Sequence, residues 1–129
     1  MMIHVLQLLG DKGARDEWEE QSVHVLMLDE NEEAIACGRL QINSKTEGQI
    51  RSMAVTTELQ GKGLGKKIIQ YIERRAKELN LNIINLDARI NAVKFYESCG
   101  YQVVGESYLL FGIIPHFKME KIIGDSLNS

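Results

Sequence analysis

Apolar residues recur along this chain with two different periods, and the change from one to the other separates predicted strands from predicted helices. Before residue 57, short runs rich in apolar and β-branched residues are separated by polar turns. This pattern predicts three strands, at Val23 to Asp29, Ala34 to Ile42 and Gln49 to Thr56. The turn Glu30 to Glu33 joins the first two strands as a hairpin, and Asn43 to Gly48 forms the next turn.

The third predicted strand loses its alternation before it ends. Up to that point its side chains form two sets that we expect on opposite faces, namely Ile50, Ser52 and Ala54 against Gln49, Arg51 and Met53. The alternation fails near Val55. This indicates that the strand ends close to a functional region.

A helical period follows. From Leu64 to Leu79 the apolar residues are spaced by three or four positions, which predicts an amphipathic helix with the stripe Leu64, Ile68, Ile72, Ala76 and Leu79. The run Ile83 to Ala88 predicts a buried strand, and Asn91 to Cys99 predicts a second helix. We expect Asn91 to cap this helix and Gly100 to end it in the left-handed conformation. Two further strands are predicted at Tyr101 to Leu110 and Ile113 to Lys121.

This order of elements predicts the fold class. A strand-helix-strand unit requires a parallel pair of strands, whereas hairpins are antiparallel, so we expect an α/β (α+β) protein with one mixed sheet. The length of 129 residues fits a single domain, 1–129, in which residues 1–22 are the least readable part.

Composition narrows the range of functions. The net charge is -3 and most basic residues are dispersed, so the basic face typical of nucleic-acid binding is missing. Cys37 and Cys99 belong to no metal or redox motif, and we expect two free thiols and no metal. The apolar run Met1 to Leu9 is too short to span a bilayer and lacks a basic leader, so we expect a cytoplasmic protein that does not bind membranes.

The turn Gln60-Gly61-Lys62-Gly63-Leu64-Gly65 precedes the first predicted helix. Glycines let the backbone turn tightly and approach a ligand, and the free amides at a helix N-terminus attract anions. The turn does not fit the Walker A pattern, because Gln60 stands where that pattern requires Gly. It does not fit the dinucleotide-binding pattern either, because Lys66 stands where that pattern requires Gly. A phosphate site and a plain tight connection both remain open for this turn.

Two motifs together resemble a known family. Gln60, Gly63 and Gly65 form Q-x-x-G-x-G, and residues 91–101 form N-x-x-x-x-Y-x-x-x-G-[FY]. This pair resembles the acetyl-coenzyme A signature of the GNAT (Gcn5-related N-acetyltransferase) superfamily, over roughly residues 23–121. The ElaA-like branch is the most similar, on the basis of Asp16 to Glu20, Ile114-Pro115-His116 and Met119.

The resemblance implies a mostly antiparallel sheet flanked by helices, and direct transfer of an acetyl group from acetyl-CoA to a primary amine. It also implies a set of residues that bind the cofactor: Met53, Ala54, Val55, Gln60, Gly61, Lys62, Gly63, Leu64, Gly65, Lys66, Asn91 and Tyr96. The acceptor would be a small-molecule or peptide amine. The N-terminal part is shorter than in that branch, so a catalytically degenerate acyl-CoA-binding or partner-binding module is the alternative. An open sheet edge would also allow a homodimer.

Two residues are candidates for catalysis. The resemblance places Tyr96 at the general-acid position, and a phenol with a pKa of about 10 can protonate a leaving thiolate; the alternative is a core aromatic residue. His116 is the candidate base because imidazole titrates near neutral pH, although a lone histidine in an edge strand is often structural. Asn91 could bind pantetheine or cap its helix, and Asp87 could orient an amine or a water or be a solvated strand-end residue.

Overall fold

The computed structural model describes residues 2–8, 22–110 and 112–124, and for 2–8 only the backbone. The segment Asp16 to Glu20, which supports the resemblance to the ElaA-like branch, lies outside the described residues. No helix in the described ranges is long and apolar enough to cross a membrane.

A single seven-stranded sheet organises the described residues, in the order β1-β2-β3-β4-β5-β7-β6. The strands are β1 (Met2–Leu8), β2 (Ser22–Leu28), β3 (Ala34–Ile42), β4 (Glu47–Val55), β5 (Ile83–Arg89), β6 (Gln102–Leu110) and β7 (Ile114–Ile122). Neighbouring strands are antiparallel except for β4 and β5, which are parallel. The predicted mixed, mostly antiparallel sheet is therefore confirmed.

Two α-helices accompany the sheet, α1 (Leu64–Glu78) and α2 (Val93–Ser98), and a 3-10 turn precedes each one, at Thr57–Leu59 and Ile90–Ala92. Helix α1 buries four residues of the predicted stripe, Leu64, Ile68, Ile72 and Ala76, whereas Leu79 follows the end of the helix and is half-buried. Gly100 ends the α2 segment with φ of 97°, as expected. The expected cap of α2 is wrong: Ala92 is the N-cap residue, and Asn91 lies in the preceding 3-10 turn.

The structure differs from the predicted strands in two further ways. Strand β1 was not predicted, and it extends the sheet by pairing antiparallel with β2. His116 does not lie in an edge strand, because β7 is inserted between β5 and β6, and β6 forms the edge. Local sequence patterns contain neither fact, because both depend on pairing between distant segments.

A bulge in β4 changes the expected alternation. Arg39 pairs with Ser52 and Leu40 pairs with Ile50, so Arg51 has no partner opposite it. An extra residue of this kind reverses the facing of the residues that follow. Ile50 and Met53 therefore lie on the same face of the sheet, not on opposite faces as predicted.

Strands β4 and β5 separate halfway along their length. Their parallel pairing begins at Glu47 with Ile83 and stops at Ile50 with Leu86. Beyond this point β4 stays paired with β3, and β5 stays paired with β7. The last residues of β4 therefore present one backbone edge to an opening in the sheet.

Candidate active site

The opening between β4 and β5 leads into a cleft of about 680 Å³. Its walls are the end of β4, the turn before α1, the first residues of α1, and the segment from Asn91 to Tyr96. Every residue predicted to bind the cofactor lines this cleft except Lys62. The structure thus brings together two motifs that are far apart in the sequence.

The backbone of β4 offers hydrogen-bonding groups to this cleft. The Thr56 N–H donates to Ile35 on β3, at a distance of 2.9 Å. Successive residues of a strand direct their N–H and C=O groups to opposite sides. The groups of Met53 and Val55 therefore point away from β3, into the cleft.

The turn before α1 carries a run of free amides. Among the hydrogen bonds of the described residues, none is donated by the backbone N–H groups of residues 61–66, and the first helical bond runs from the Lys67 N–H to the Gly63 carbonyl. No side chain caps the helix, and no acidic residue lies in its first turn. Free amides combined with a helix dipole form an anion site.

Glycine is needed in this turn for two different reasons. Gly61 and Gly63 have φ of 83° and 84°, a region that other residues adopt at a cost, and a side chain at either position would meet nothing within 4 Å. At Gly65 the limit is space, because a Cβ would lie 3.0 Å from the ring of Phe95. Gly65 therefore lets α1 and α2 close one wall of the cleft.

The side chain of Gln60 makes a structural hydrogen bond. Its side-chain Nε2 donates a hydrogen bond of 3.1 Å to the carbonyl oxygen of Val55. This contact connects the turn to the end of β4. It thereby fixes the position of the free amides of residues 61–66 relative to the backbone groups of β4. The motif identified Gln60, whereas its partner could not be inferred from the sequence.

Tyr96 lies on α2 with its hydroxyl unengaged. Its ring packs edge-on against Phe95 and Tyr101, with centroid distances of 5.0 and 6.1 Å. Within the described residues the hydroxyl has no hydrogen-bond partner, and it is not among the buried unsatisfied atoms, so it remains accessible. Burial, and next the proximity of Cys99, raises the pKa of Tyr96 to about 12.

Tyr101 provides a contrast. Its hydroxyl donates to Glu73 Oε2 of α1 at 2.9 Å, and Lys121 Nζ binds the same carboxylate. Burial, and next the charge of Glu73, raises the pKa of Tyr101 well above its usual value. Tyr101 thus belongs to a structural cluster, whereas the Tyr96 hydroxyl is available to a ligand.

His116 lies outside the cleft, on β7. Its Nδ1 is 3.2 Å from the carbonyl oxygen of Ile114, and its ring stacks on Tyr108 at 4.2 Å. Because a carbonyl only accepts, Nδ1 carries the hydrogen, and in the neutral ring Nε2 keeps its lone pair. His116 is therefore in the tautomer that could take a proton at Nε2, and its role as the base stays a prediction.

Asp87 is the first residue of β5 beyond the end of the pairing with β4. It lines a second cavity of about 300 Å³ together with Gln49, Ile50, Arg51 and Tyr108. The sequence left two equal alternatives for Asp87, namely orienting an amine or a water, or being a solvated strand-end residue. It gave no role to Gln49, Arg51 or Tyr108. Their polar character was visible in the sequence, but the bulge in β4 and the insertion of β7 between β5 and β6, which bring them together, were not.

Cys99 is half-buried, and burial raises the pKa of its thiol. This favours the unreactive thiol over the nucleophilic thiolate. Across the ranges that the structure describes, no group of three or more His, Cys, Asp and Glu side chains could hold a metal ion.

Comparison with known proteins identifies the family. A family model described as an acetyltransferase (GNAT) domain matches residues 4–123. This chain belongs to the GNAT acetyltransferase family. The uncharacterized N-acetyltransferase YjcF of Bacillus subtilis (strain 168) is 30% identical over 106 residues, which are 82% of this chain and 74% of that protein.

Solved GNAT structures share the fold. An aminoglycoside 6'-N-acetyltransferase complexed with coenzyme A gives a TM-score of 0.74 at 16% identity, covering 80% of this chain and 73% of that chain. A spermidine N-acetyltransferase chimera of Vibrio cholerae SpeG and hSSAT gives 0.67 at 20% identity, covering 84% and 73%. At these identities the likeness concerns the fold. The family match supports an acyl-CoA-dependent N-acetyltransferase.

Proposed function

We propose that this GNAT protein transfers an acetyl group from acetyl-CoA directly to a primary amine of a small molecule or peptide. The observation that carries the proposal is one cleft that combines the free amides of residues 61–66, the free edge of β4 and the Tyr96 hydroxyl. These three features meet the needs of a phosphate-bearing thioester substrate. A cytoplasmic location and a homodimer stay predictions.

The backbone would hold the cofactor. The amides of residues 61–66 would bind the pyrophosphate, with Lys66 adding positive charge at the rim. The groups of Met53 and Val55 would pair with the amides of the pantetheine arm, as another strand would, and Asn91 would contact the arm from the opposite wall. A backbone N–H of the same β4 segment would stabilise the negative charge that develops on the thioester oxygen.

Tyr96 would donate its hydroxyl hydrogen to the departing sulfur. With its pKa raised to about 12, the phenol stays protonated at neutral pH. The same rise makes it a weaker acid than an ordinary thiol, which has a pKa of about 8.5. We therefore expect much of its effect to come from hydrogen bonding to the developing thiolate, with the proton following as the C–S bond breaks.

The acceptor amine has to lose a proton before or during attack. His116 is the proposed base, because its hydrogen bond to Ile114 leaves Nε2 able to accept one. The stacking of His116 on Tyr108 would connect this base to the second cavity, which Tyr108 lines.

Binding and turnover should be measured on the same preparation. Coenzyme A and acetyl-CoA should stabilise the fold, by about 2.7 kcal/mol at a hundredfold excess over Kd, whereas NAD and ATP with magnesium should have little effect. Incubation with acetyl-CoA and a panel of amines should release one free thiol for each acetylated amine. Stabilisation by coenzyme A without turnover would indicate the binding module instead, and equal stabilisation by ATP would contradict the assignment of the cleft.

A further inference from the structure

The second cavity lies on the opposite face of the sheet from α1. On β7, Lys121 contacts Glu73 of α1, and Met119, two residues earlier, shares that face because side chains alternate along a strand. Met119 pairs with Leu86 of β5. Asp87 follows Leu86, so its side chain points to the other face, at the point where β4 and β5 separate.

A directed row of hydrogen bonds leads to Asp87 across this face. Arg39 Nη2 donates to Gln41 at 3.5 Å, and Gln41 Nε2 donates to Asn43 at 2.8 Å. Asn43 Nδ2 then donates to Gln49 at 3.0 Å, and Gln49 Nε2 donates to Asp87 Oδ2 at 3.5 Å.

The two ends of this row fix the orientation of the amides between them. A guanidinium only donates and a carboxylate only accepts, so each of the three amides must accept from the Arg39 side and donate toward Asp87. Gln49 thereby holds one carboxylate oxygen of Asp87. The other oxygen has no protein partner within the described residues.

Arg51 brings the opposite charge to the same cavity. It is the bulged residue of β4, it is exposed, and it forms no salt bridge with Asp87 or with any other described residue. A cation and an anion thus line one cavity, together with Tyr108, without forming an ion pair with each other. Lys118 lies opposite Asp87 on β7, and within the described residues it forms no ion pair with Asp87 either. Such a cavity complements a ligand that carries both charges.

We propose that the second cavity binds the acceptor and selects an amine that also carries an anionic group. Asp87 binds the ammonium group at the opening between β4 and β5, and Arg51 binds the carboxylate or phosphate at the other end. Arg51 can do so with two parallel hydrogen bonds, because its guanidinium matches the geometry of both anions. This inference rests on the proposed function, since it names the acceptor class of the same reaction.

The test compares matched ligands by calorimetry in the presence of coenzyme A, so that no turnover is needed. The ligands are ω-amino acids of increasing chain length, the aminoalkyl phosphates, and the alkylamines of the same lengths. At least one anionic series should bind the parent protein about tenfold more tightly than the alkylamines, the gain expected from one charge-assisted contact. Whichever anionic series binds more tightly shows whether the cavity prefers a carboxylate or a phosphate.

Three variants connect the binding to named residues. Arg51→Gln should abolish the preference for anionic amines and leave alkylamine binding unchanged, whereas Asp87→Asn should weaken every amine by about tenfold. Arg89→Gln removes an exposed charge two residues from Asp87 and outside the cavity, so it controls for the general charge of this face. Coenzyme A affinity, measured on each variant, shows that the fold and the cleft are intact.

Several outcomes would overturn this inference. These are equal binding of anionic amines and alkylamines by the parent, an Arg51→Gln variant that keeps the preference, or no binding of any amine to a protein that binds coenzyme A. If the parent protein does not bind coenzyme A, that result would instead contradict the proposed function.

Discussion

Neighbouring tyrosine rings in this protein place their hydroxyls in different environments. Tyr96 and Tyr101 pack edge-on at 6.1 Å, yet the Tyr101 hydroxyl is held by Glu73 while that of Tyr96 has no partner among the described residues. A hydroxyl that stays accessible at the wall of a cleft is available to a ligand. Replacement by phenylalanine should therefore lower the rate of acetyl transfer at Tyr96 and the stability of the fold at Tyr101.

Tyr96→Phe should lower the rate of acetyl transfer by roughly a hundredfold or more, because it removes the proton donor and keeps the ring. Coenzyme A affinity and melting temperature should change little. Tyr101→Phe is the matched control: it should cost about 1.5–3 kcal/mol of stability, since its hydroxyl binds a carboxylate, and keep near-parental turnover well below its melting temperature. A folded Tyr96→Phe variant with parental turnover would remove Tyr96 from the mechanism.

Gly63→Val tests the turn before α1. Valine resists the positive φ that this turn requires, so the free amides should lose their arrangement and coenzyme A affinity should fall by at least about tenfold, the value of one or more charge-assisted hydrogen bonds. Gly112 has a similar φ of 73° and equally open surroundings at the β6–β7 turn, so Gly112→Val reproduces the backbone strain away from the cleft. Equal coenzyme A affinity in the two variants would show that the turn does not bind phosphate.

At the scale of elements, a cluster of side chains joins α1, α2 and β7. Lys121 Nζ contacts Glu73 on α1 and donates a hydrogen bond of 2.9 Å to the carbonyl oxygen of Cys99, where α2 ends. Tyr101 completes the cluster through Glu73. The cluster fixes the C-terminal end of the short helix that carries Tyr96.

The two partly buried phenols, Tyr96 outside this cluster and Tyr101 within it, should make the fold sensitive to alkaline pH. The folded-state pKa of Tyr96 and of Tyr101 is raised above the unfolded value of about 10. Their contribution to stability is therefore complete below about pH 10, and it is lost as the pH rises toward 12, by about 1.4 kcal/mol per pH unit for each group.

Urea unfolding on both sides of pH 10 measures this loss. Tyr101→Phe removes one of the two groups, so the free energy of unfolding should fall less steeply with pH than in the parent. An identical pH dependence in parent and variant would show that Tyr101 is not the group responsible.

The sequence predicted the elements whose information is local. The stripe of α1, the glycine turn and the stop at Gly100 follow from spacing and backbone preference within a few residues. Asn91 is a counterexample, because the 3-10 turn at Ile90–Ala92 shifts the helix start beyond it. A favourable capping residue does not fix the helix start when the chain first has to turn away from β5.

Features that depend on pairing between distant segments could not be predicted in this way. The place of β7 between β5 and β6, the pairing of β1 and the bulge at Arg51 all depend on which strand lies alongside. The family motifs located the cleft, because they encode a site whose two halves are separate in the chain. The cavity at Asp87 has no motif, so the sequence left Asp87 with two equal alternatives.

For the whole molecule, the separation of β4 and β5 is the central feature. It exposes a strand edge to the cleft on the side of α1, and it places Asp87 beside the second cavity on the other face. Two substrates could then approach one opening from opposite sides of the sheet. The parallel pairing from Glu47 to Ile50 keeps the two strands joined on one side of this opening.

The most direct test of this account is to titrate the ¹⁵N-labelled protein with coenzyme A and follow each backbone amide by NMR. We predict that the largest shifts occur at residues 61–66, at Met53 and at Val55, because these amides would bind the pyrophosphate and the pantetheine arm. ATP with magnesium should leave the amides of Met53 and Val55 unshifted, since it has no pantetheine arm. Coenzyme A shifts that leave residues 61–66 unchanged, or an identical response to ATP, would contradict the account.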